Sequence, residues 1–339
     1  MSPPPAAPDP AALLAGIEAF DGVELDPALL GRLWRHGASY RSRPLDAATP
    51  TFKAYASDEL EPCRGNRFPA FSLTGPACAL GCDHCQARIL APMIPATTPE
   101  RLAAEVRTRV ARDRITGFLL SGGSNRRNEL PYPRFVPAIR ALKAEFPRLR
   151  VLAHTALMPA DQARALAGAG VEVGMMDVIG DEATIHEVYH LDRPVADFAA
   201  ALAALCASGL RAVPHIVLGL HRGRFLGERN ALAIVARRRE IAALVLVVVM
   251  PAFARGFAAP DPAEVGAFFL EARAAIPDRP VLLGCARPVG LPRRAIDAYA
   301  VLAGLDGIAH PAPGAVALAR ALGRPVRHEH ACCALGGRR

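Results

Sequence analysis

Leu244-Val245-Leu246-Val247-Val248-Val249 is a run of six consecutive β-prone apolar residues. A strand with one wet face alternates apolar and polar side chains. A strand with no polar position is buried on both faces, as in a parallel sheet covered by helices. The run predicts a strand over 244–250, and further β-type apolar segments recur at 68–73, 117–120, 150–154, 171–176, 210–218, 280–283 and 307–309. Ala/Leu-rich helical segments fill the gaps at 134–145, 159–169, 196–208, 228–242, 263–275, 292–303 and 314–322. A further helix opens at Thr98-Pro99-Glu100, with Thr98 as N-cap and Pro99 at the first helical position. Eight strand–helix units in succession predict an α/β fold of the TIM-type (β/α)8 class, with a doubly wound open sheet as the alternative.

Around this repeat the chain divides into an N-terminal extension (1–66), a barrel (67–325) and a C-terminal Cys/His tail (326–339). The extension offers helices at 11–20 and 27–35, and the tail carries His328-Glu329-His330-Ala331-Cys332-Cys333. The 339 residues are 52% hydrophobic, enough for a large core. No apolar run approaches the ~20 residues of a membrane span. The start, Met1-Ser2-Pro3-Pro4-Pro5, has neither the basic nor the apolar region of a secretory signal. A cytoplasmic protein with no membrane partner is therefore expected. The net charge is +8, yet lysine occurs only at Lys53 and Lys143 and the arginines are scattered rather than clustered. That pattern fits a GC-rich coding bias better than a nucleic-acid footprint. No nucleic-acid partner is expected, while weak attraction to an acidic protein fits the charge. Eight cysteines without a secretory signal argue for metal ligands, catalytic groups or core residues rather than disulfides.

Three of those cysteines sit in one loop, Gly75-Pro76-Ala77-Cys78-Ala79-Leu80-Gly81-Cys82-Asp83-His84-Cys85, spaced C-x3-C-x2-C. Thiolates are soft ligands that favour zinc or iron–sulfur clusters. A four-iron cluster usually takes four cysteines, so three local ones leave an iron open to another ligand. Zinc completed by a distant fourth ligand is the plainer alternative. The loop follows the first predicted strand, at the end of a barrel where active sites lie.

With this spacing in this place, the chain resembles the radical S-adenosylmethionine (SAM) superfamily, whose fold is a full or partial barrel. The aromatic residue usual before the third cysteine is His84 here. The resemblance implies a [4Fe-4S] cluster on Cys78, Cys82 and Cys85. Its open iron would bind the amino and carboxylate groups of SAM, and reduction would release a 5′-deoxyadenosyl radical that abstracts hydrogen. It also implies that Ser121-Gly122-Gly123, after the second strand, receives the SAM amino group, although two glycines alone mean only a turn. Asp177, ending the fourth strand, is read either as a contact to ribose hydroxyls or substrate, or as a cap of the next helix. His215 and Gly219, on the fifth strand, resemble the adenine-contacting strand of the family; a core histidine is the other reading of His215.

Of the remaining cysteines, Cys206 lies on an apolar helix and reads as core. Cys285 follows the seventh strand, Cys63 precedes the first, and Cys332 and Cys333 are in the tail. These four offer ligands for a second, auxiliary cluster, or they are free loop thiols. Adjacent Cys332 and Cys333 are not expected to be equivalent. Biotin synthase and lipoyl synthase, within the superfamily, sacrifice a second cluster as a sulfur source. Residues 67–75, 177–194 and 283–290 resemble that branch, most of all the two-protein lipoyl synthase. The cluster motif and serine motif of the single-protein enzyme are missing here. The resemblance implies sulfur insertion into an octanoyl chain on a lipoyl carrier domain, a partner synthase, and a ferredoxin or flavodoxin as electron donor. The alternatives are radical SAM chemistry on a small molecule, and a non-enzymatic zinc or iron–sulfur protein.

Overall fold

A computed structural model describes residues 9–50, 55, 57–61, 67–254 and 256–336. The strands are β1 (Leu45–Ala48), β2 (Ala70–Ser72), β3 (Ile94–Pro95), β4 (Gly117–Ser121), β5 (Arg150–His154), β6 (Val173–Asp177), β7 (Arg211–Leu218), β8 (Leu244–Val248), β9 (Val281–Leu283), β10 (Gly307–Ala309) and β11 (Val326–Glu329). They form one parallel sheet in the order β11-β1-β10-β9-β8-β7-β6-β5-β4-β2-β3. All eight predicted strands are present, as β2 and β4 to β10. Among the described residues the sheet does not close: β3 lies beyond β2, and β1 and β11 lie beyond β10. The fold is thus a curled, partial barrel.

Alternation along the strands explains the apolar run at Leu244. Leu244, Leu246 and Val248 of β8 join the large core under the helices, while Val245 faces the lumen. On β7, Ala212, Ile216 and Leu218 face outward and Val213 inward. The lumen is filled by Phe68, Leu152, Val173, Met175, Val213, Val245 and Leu282, together with Cys333, Ala334 and Leu335 from the C-terminus. A doubly wound sheet would carry helices on both faces; here the inner face is covered by its own side chains and by one short 3-10 turn, Cys333–Leu335.

The tail is knitted into the sheet. β11 pairs with β1, with Leu45 opposite Val326 and Ala48 opposite Glu329. The imidazoles of His328 and His330 share the Thr49 hydroxyl at 2.8 and 2.9 Å. The extension is equally integrated: Leu29, Leu30 and Leu33 of the helix Pro27–Gly37 enter the outer core. Asp26 caps that helix by accepting from Leu29 N at 2.7 Å, with Pro27 at its first position.

Among the boundaries that differ from expectation, three stand out. The first barrel strand starts at Ala70, since Pro69 has no N–H to donate. The helix expected over 11–20 is Pro10–Ala15 followed, beyond Gly16, by a 3-10 turn Glu18–Phe20. The helix expected over 228–242 stops at Ala236, ahead of the consecutive cations Arg237, Arg238 and Arg239.

Candidate active site

The three-cysteine loop leaves β2 and is held by polar contacts at several points. Ser72 Oγ donates to Gly75 O (2.6 Å) and Thr74 Oγ1 to Ala77 O (2.8 Å). Gly123 N donates to Thr74 Oγ1 (2.7 Å) and Ala79 N to Ser124 O (2.8 Å), which docks the loop on the segment after β4. Asp83 N donates to Val188 O (2.9 Å), fixing the far side to the segment after β6. Gly81 takes φ 62°, a conformation costly for any side chain. Gly123 is required by close approach: a Cβ there would stand 2.6 Å from both Cys78 Cα and Cys78 Cβ. Gly122 is freer, its nearest neighbour being Thr74 Oγ1 at 3.2 Å.

This loop, the ends of β4 to β8 and the segment after β9 enclose a cavity of about 310 Å³. Cys78, Cys82 and Cys85 line it, with Ser121, Gly122, Gly123, Asp177 and His215. Cys285, Cys332 and Cys333 line the same cavity. Burial pushes the thiols of Cys82 and Cys85 up, and their neighbouring thiols push them further. Such thiols stay protonated unless a metal supplies the opposing charge, and a coordinating thiol is deprotonated outright. Their fit to a soft metal group is therefore chemical. Among the described residues no three His, Cys, Asp or Glu side chains are arranged around a single ion.

Asp177 sits at the centre of the polar wall. Strand pairing sets it beside His215, and His154 Nε2 lies 3.7 Å from its Oδ1. Tyr189 Oη donates to Asp177 Oδ2 at 3.5 Å. Burial pushes the Asp177 carboxyl up, but His154, then His215 and His84, outweigh it and hold the pKa at about 2. The capping alternative for Asp177 fails, because Asp181 caps the next helix through Thr184 N at 2.6 Å. His215 faces the cavity and its Nδ1 lies 3.1 Å from Val213 O. His84 stacks on Tyr189 with centroids 4.8 Å apart, and burial lowers its pKa to about 4. Its buried Nδ1 has no hydrogen-bond partner among the described residues.

The second thiol group is built from two distant segments. The Cys285 segment is set by Gly284, where a Cβ would stand 2.5 Å from Val247 Cγ1. Cys333, at the start of the 3-10 turn, shares hydrogen bonds with Cys285 and Cys332; these, with burial, raise its pKa well above the usual thiol value. The two adjacent cysteines differ as expected in burial, Cys333 being buried and Cys332 partly exposed. Cys63 lies outside the described residues. Cys206 is on the outside of the barrel, against the outer core. Gly219 does not line the cavity: it turns the chain at φ 74° against Pro260, and its N–H donates to the buried Glu228 at 2.9 Å.

Sequence reasoning missed His154 and Tyr189. The signal for His154 was there: it ends β5 two positions beyond the lumen-facing Leu152, so it shares that face. Tyr189 has no such pattern, since it lies between strands.

No protein-family model and no curated protein matches the chain. Among solved structures it is similar to methylornithine synthase (PylB) at 13% identity and a TM-score of 0.55, over 90% of this chain and 86% of that one. It is also similar to the FeFe-hydrogenase maturase HydG from Carboxydothermus hydrogenoformans at 15% identity and a TM-score of 0.57, over 86% of this chain and 65% of that one. At these identities the likeness establishes a shared fold.

Proposed function

We propose that the chain is a radical SAM enzyme that inserts sulfur into a protein-bound octanoyl chain. One observation carries the reading: two sets of three cysteine thiols, Cys78/Cys82/Cys85 and Cys285/Cys332/Cys333, line a single cavity. A site that only cleaved SAM would need the first set alone. Its volume of about 310 Å³ lies at the low end of small-molecule sites, ~300–1,000 Å³.

The loop thiols would hold a [4Fe-4S] cluster, and the second set an auxiliary cluster able to donate sulfur. When bound, cluster and SAM together supply a radical able to take hydrogen from an unactivated C–H bond. The protein's part is placement and exclusion of water. Gly123 lets the loop close on the segment after β4. Asp177, kept ionised, is an acceptor for hydroxyl groups. Val217, Val247 and Met250 give the reacting chain an apolar wall. Ile89, exposed on the segment after β2, lines this cavity. The substrate in this reading is an octanoyl-lysine on a lipoyl carrier domain, with a partner synthase and a ferredoxin or flavodoxin as electron donor.

The test is mass spectrometry of an octanoylated carrier domain incubated anaerobically with the reconstituted chain, SAM and dithionite. Gain of one or two sulfur atoms with release of 5′-deoxyadenosine is expected. In Cys82→Ala, 5′-deoxyadenosine formation should vanish. If 5′-deoxyadenosine forms and the carrier gains no sulfur, the substrate assignment falls and a small molecule replaces it. If the chain binds zinc alone and cleaves no SAM, the radical reading is lost.

A further inference from the structure

The second thiol set provides three donors, and a cubane cluster has four corners. A fourth donor from this chain would have to stand on the wall of the same cavity. His215 projects from β7 into the cavity that Cys285, Cys332 and Cys333 line. Its Nδ1 is 3.1 Å from Val213 O, so Nδ1 carries the proton and donates to that carbonyl. Nε2 is then a lone pair, with no hydrogen-bond partner among the described residues. A metal-binding histidine has this arrangement, one ring N–H fixed by a backbone carbonyl and the opposite nitrogen free.

The competing use of His215 is as a partner for Asp177. That carboxylate is already served by His154, 3.7 Å from Oδ1, and by the Tyr189 hydroxyl on Oδ2. His154 also stands edge-on to His215, with ring centroids 5.8 Å apart, which limits rotation of the His215 ring about its fixed Nδ1. The β8 residue paired with His215 is the apolar Val245, which offers no donor.

We propose that His215 Nε2 is the fourth protein ligand of an iron–sulfur group carried by Cys285, Cys332 and Cys333. The inference rests on the second cluster proposed above. A neutral imidazole in place of a thiolate leaves the group less negative and raises its reduction potential, as histidine ligation does in other iron–sulfur centres.

The experiment uses the full chain with Cys78, Cys82 and Cys85 all changed to alanine, so that only the second group remains. After anaerobic reconstitution, about four irons per chain are expected. The dithionite-reduced sample should show strong nitrogen coupling by pulsed electron paramagnetic resonance. Adding His215→Asn should abolish that coupling and lower the iron. Adding His215→Cys should keep the iron, abolish the coupling and lower the potential; circular dichroism checks the fold of each. Nitrogen coupling that survives His215→Asn overturns the proposal, as does loss of iron in Cys63→Ala but not in His215→Asn. If the wild-type chain itself binds only about four irons, the second cluster is absent and the ligand assignment falls with it.

Discussion

Arg287 and Asp297 form a doubly hydrogen-bonded ion pair, 2.6 and 2.8 Å, with both side chains fully buried. The guanidinium also donates to Gly284 O (2.7 Å) and His310 O (3.0 Å), and Asp297 accepts from Ala312 N (2.7 Å). One pair therefore ties the segment bearing Cys285 to the helix Leu291–Leu302 and to the segment after β10. Removing one partner strands the other as a buried charge, which costs ~3–5 kcal/mol. Arg287→Ala is expected to lower the thermal midpoint by several degrees in a calorimetric scan. It should also release iron from the second thiol set while the three-cysteine loop keeps its own. An Arg287→Ala protein with unchanged midpoint and iron content would remove the clamp from this account.

The two glycines after β4 make a sharper contrast. Gly123→Ala sets a methyl 2.6 Å from Cys78 Cα and Cβ, both backbone-proximal atoms that cannot swing aside. Gly122→Ala meets nothing closer than the Thr74 hydroxyl at 3.2 Å, a contact that a shift of a few tenths of an ångström relieves. Gly123→Ala is expected to lose about four irons per chain and SAM cleavage with them. Gly122→Ala should keep its iron. Parallel iron assays and 5′-deoxyadenosine measurements on the two variants decide the matter; equal iron in both would show that the loop does not depend on this close approach.

The eight strands of the barrel were legible because each is a local apolar run. β1, β3 and β11 were not, and the reason is physical. Leu45-Asp46-Ala47-Ala48 and Val326-Arg327-His328-Glu329 have little intrinsic β-preference and become strands by pairing with each other and with β10. Ile94–Pro95 is only two residues long. The three-cysteine loop could be read because its spacing is a local property. Convergence of Cys285 with Cys332 and Cys333 could only be posed as a question, since it depends on the tail crossing beside β1 and turning into the lumen. The wall of His154, Asp177 and His215 is intermediate: period two puts each on the inner face, but which inner residues stand at one level depends on strand register.

Glu172 carries a pH-dependent part of the stability well away from the thiols. Arg150 grips it with two bonds, 2.6 and 2.9 Å, and Arg211 adds a third at 3.4 Å, joining β5, the start of β6 and β7. Burial pushes this carboxyl up, but the two guanidinium groups outweigh it and hold its pKa below the usual 4.5. A depressed folded-state value means the stabilisation is complete above that ordinary value and is lost as pH falls through the lower one. Solvent screening at this half-exposed site limits it to about 1 kcal/mol. Glu172→Gln should lower the urea midpoint at pH 7 and flatten its decline below about pH 4.5. If the variant and the parent fall in parallel through that range, Glu172 does not carry the slope.

Leu335 tests whether the C-terminal turn is part of the core or merely rests in it. The side chain is 1% exposed and packs in the lumen cluster with Val173, Met175 and Leu282. Truncating a leucine at such a site costs ~2–5 kcal/mol, more where the surroundings cannot collapse. The lumen wall is a hydrogen-bonded sheet and resists collapse, so Leu335→Ala should fall in the upper half of that range by urea denaturation. Its chemical signature should differ from that of a general loss of stability. Leu335 N donates to Cys332 O at 3.0 Å, and Cys333 sits between the two in the same turn. Loosening the turn should therefore free the second thiol set. At a temperature where the variant remains folded, its SAM cleavage should match the parent, while sulfur transfer and the iron of the second set decline together. A variant that loses SAM cleavage first would tie the turn to the three-cysteine loop instead.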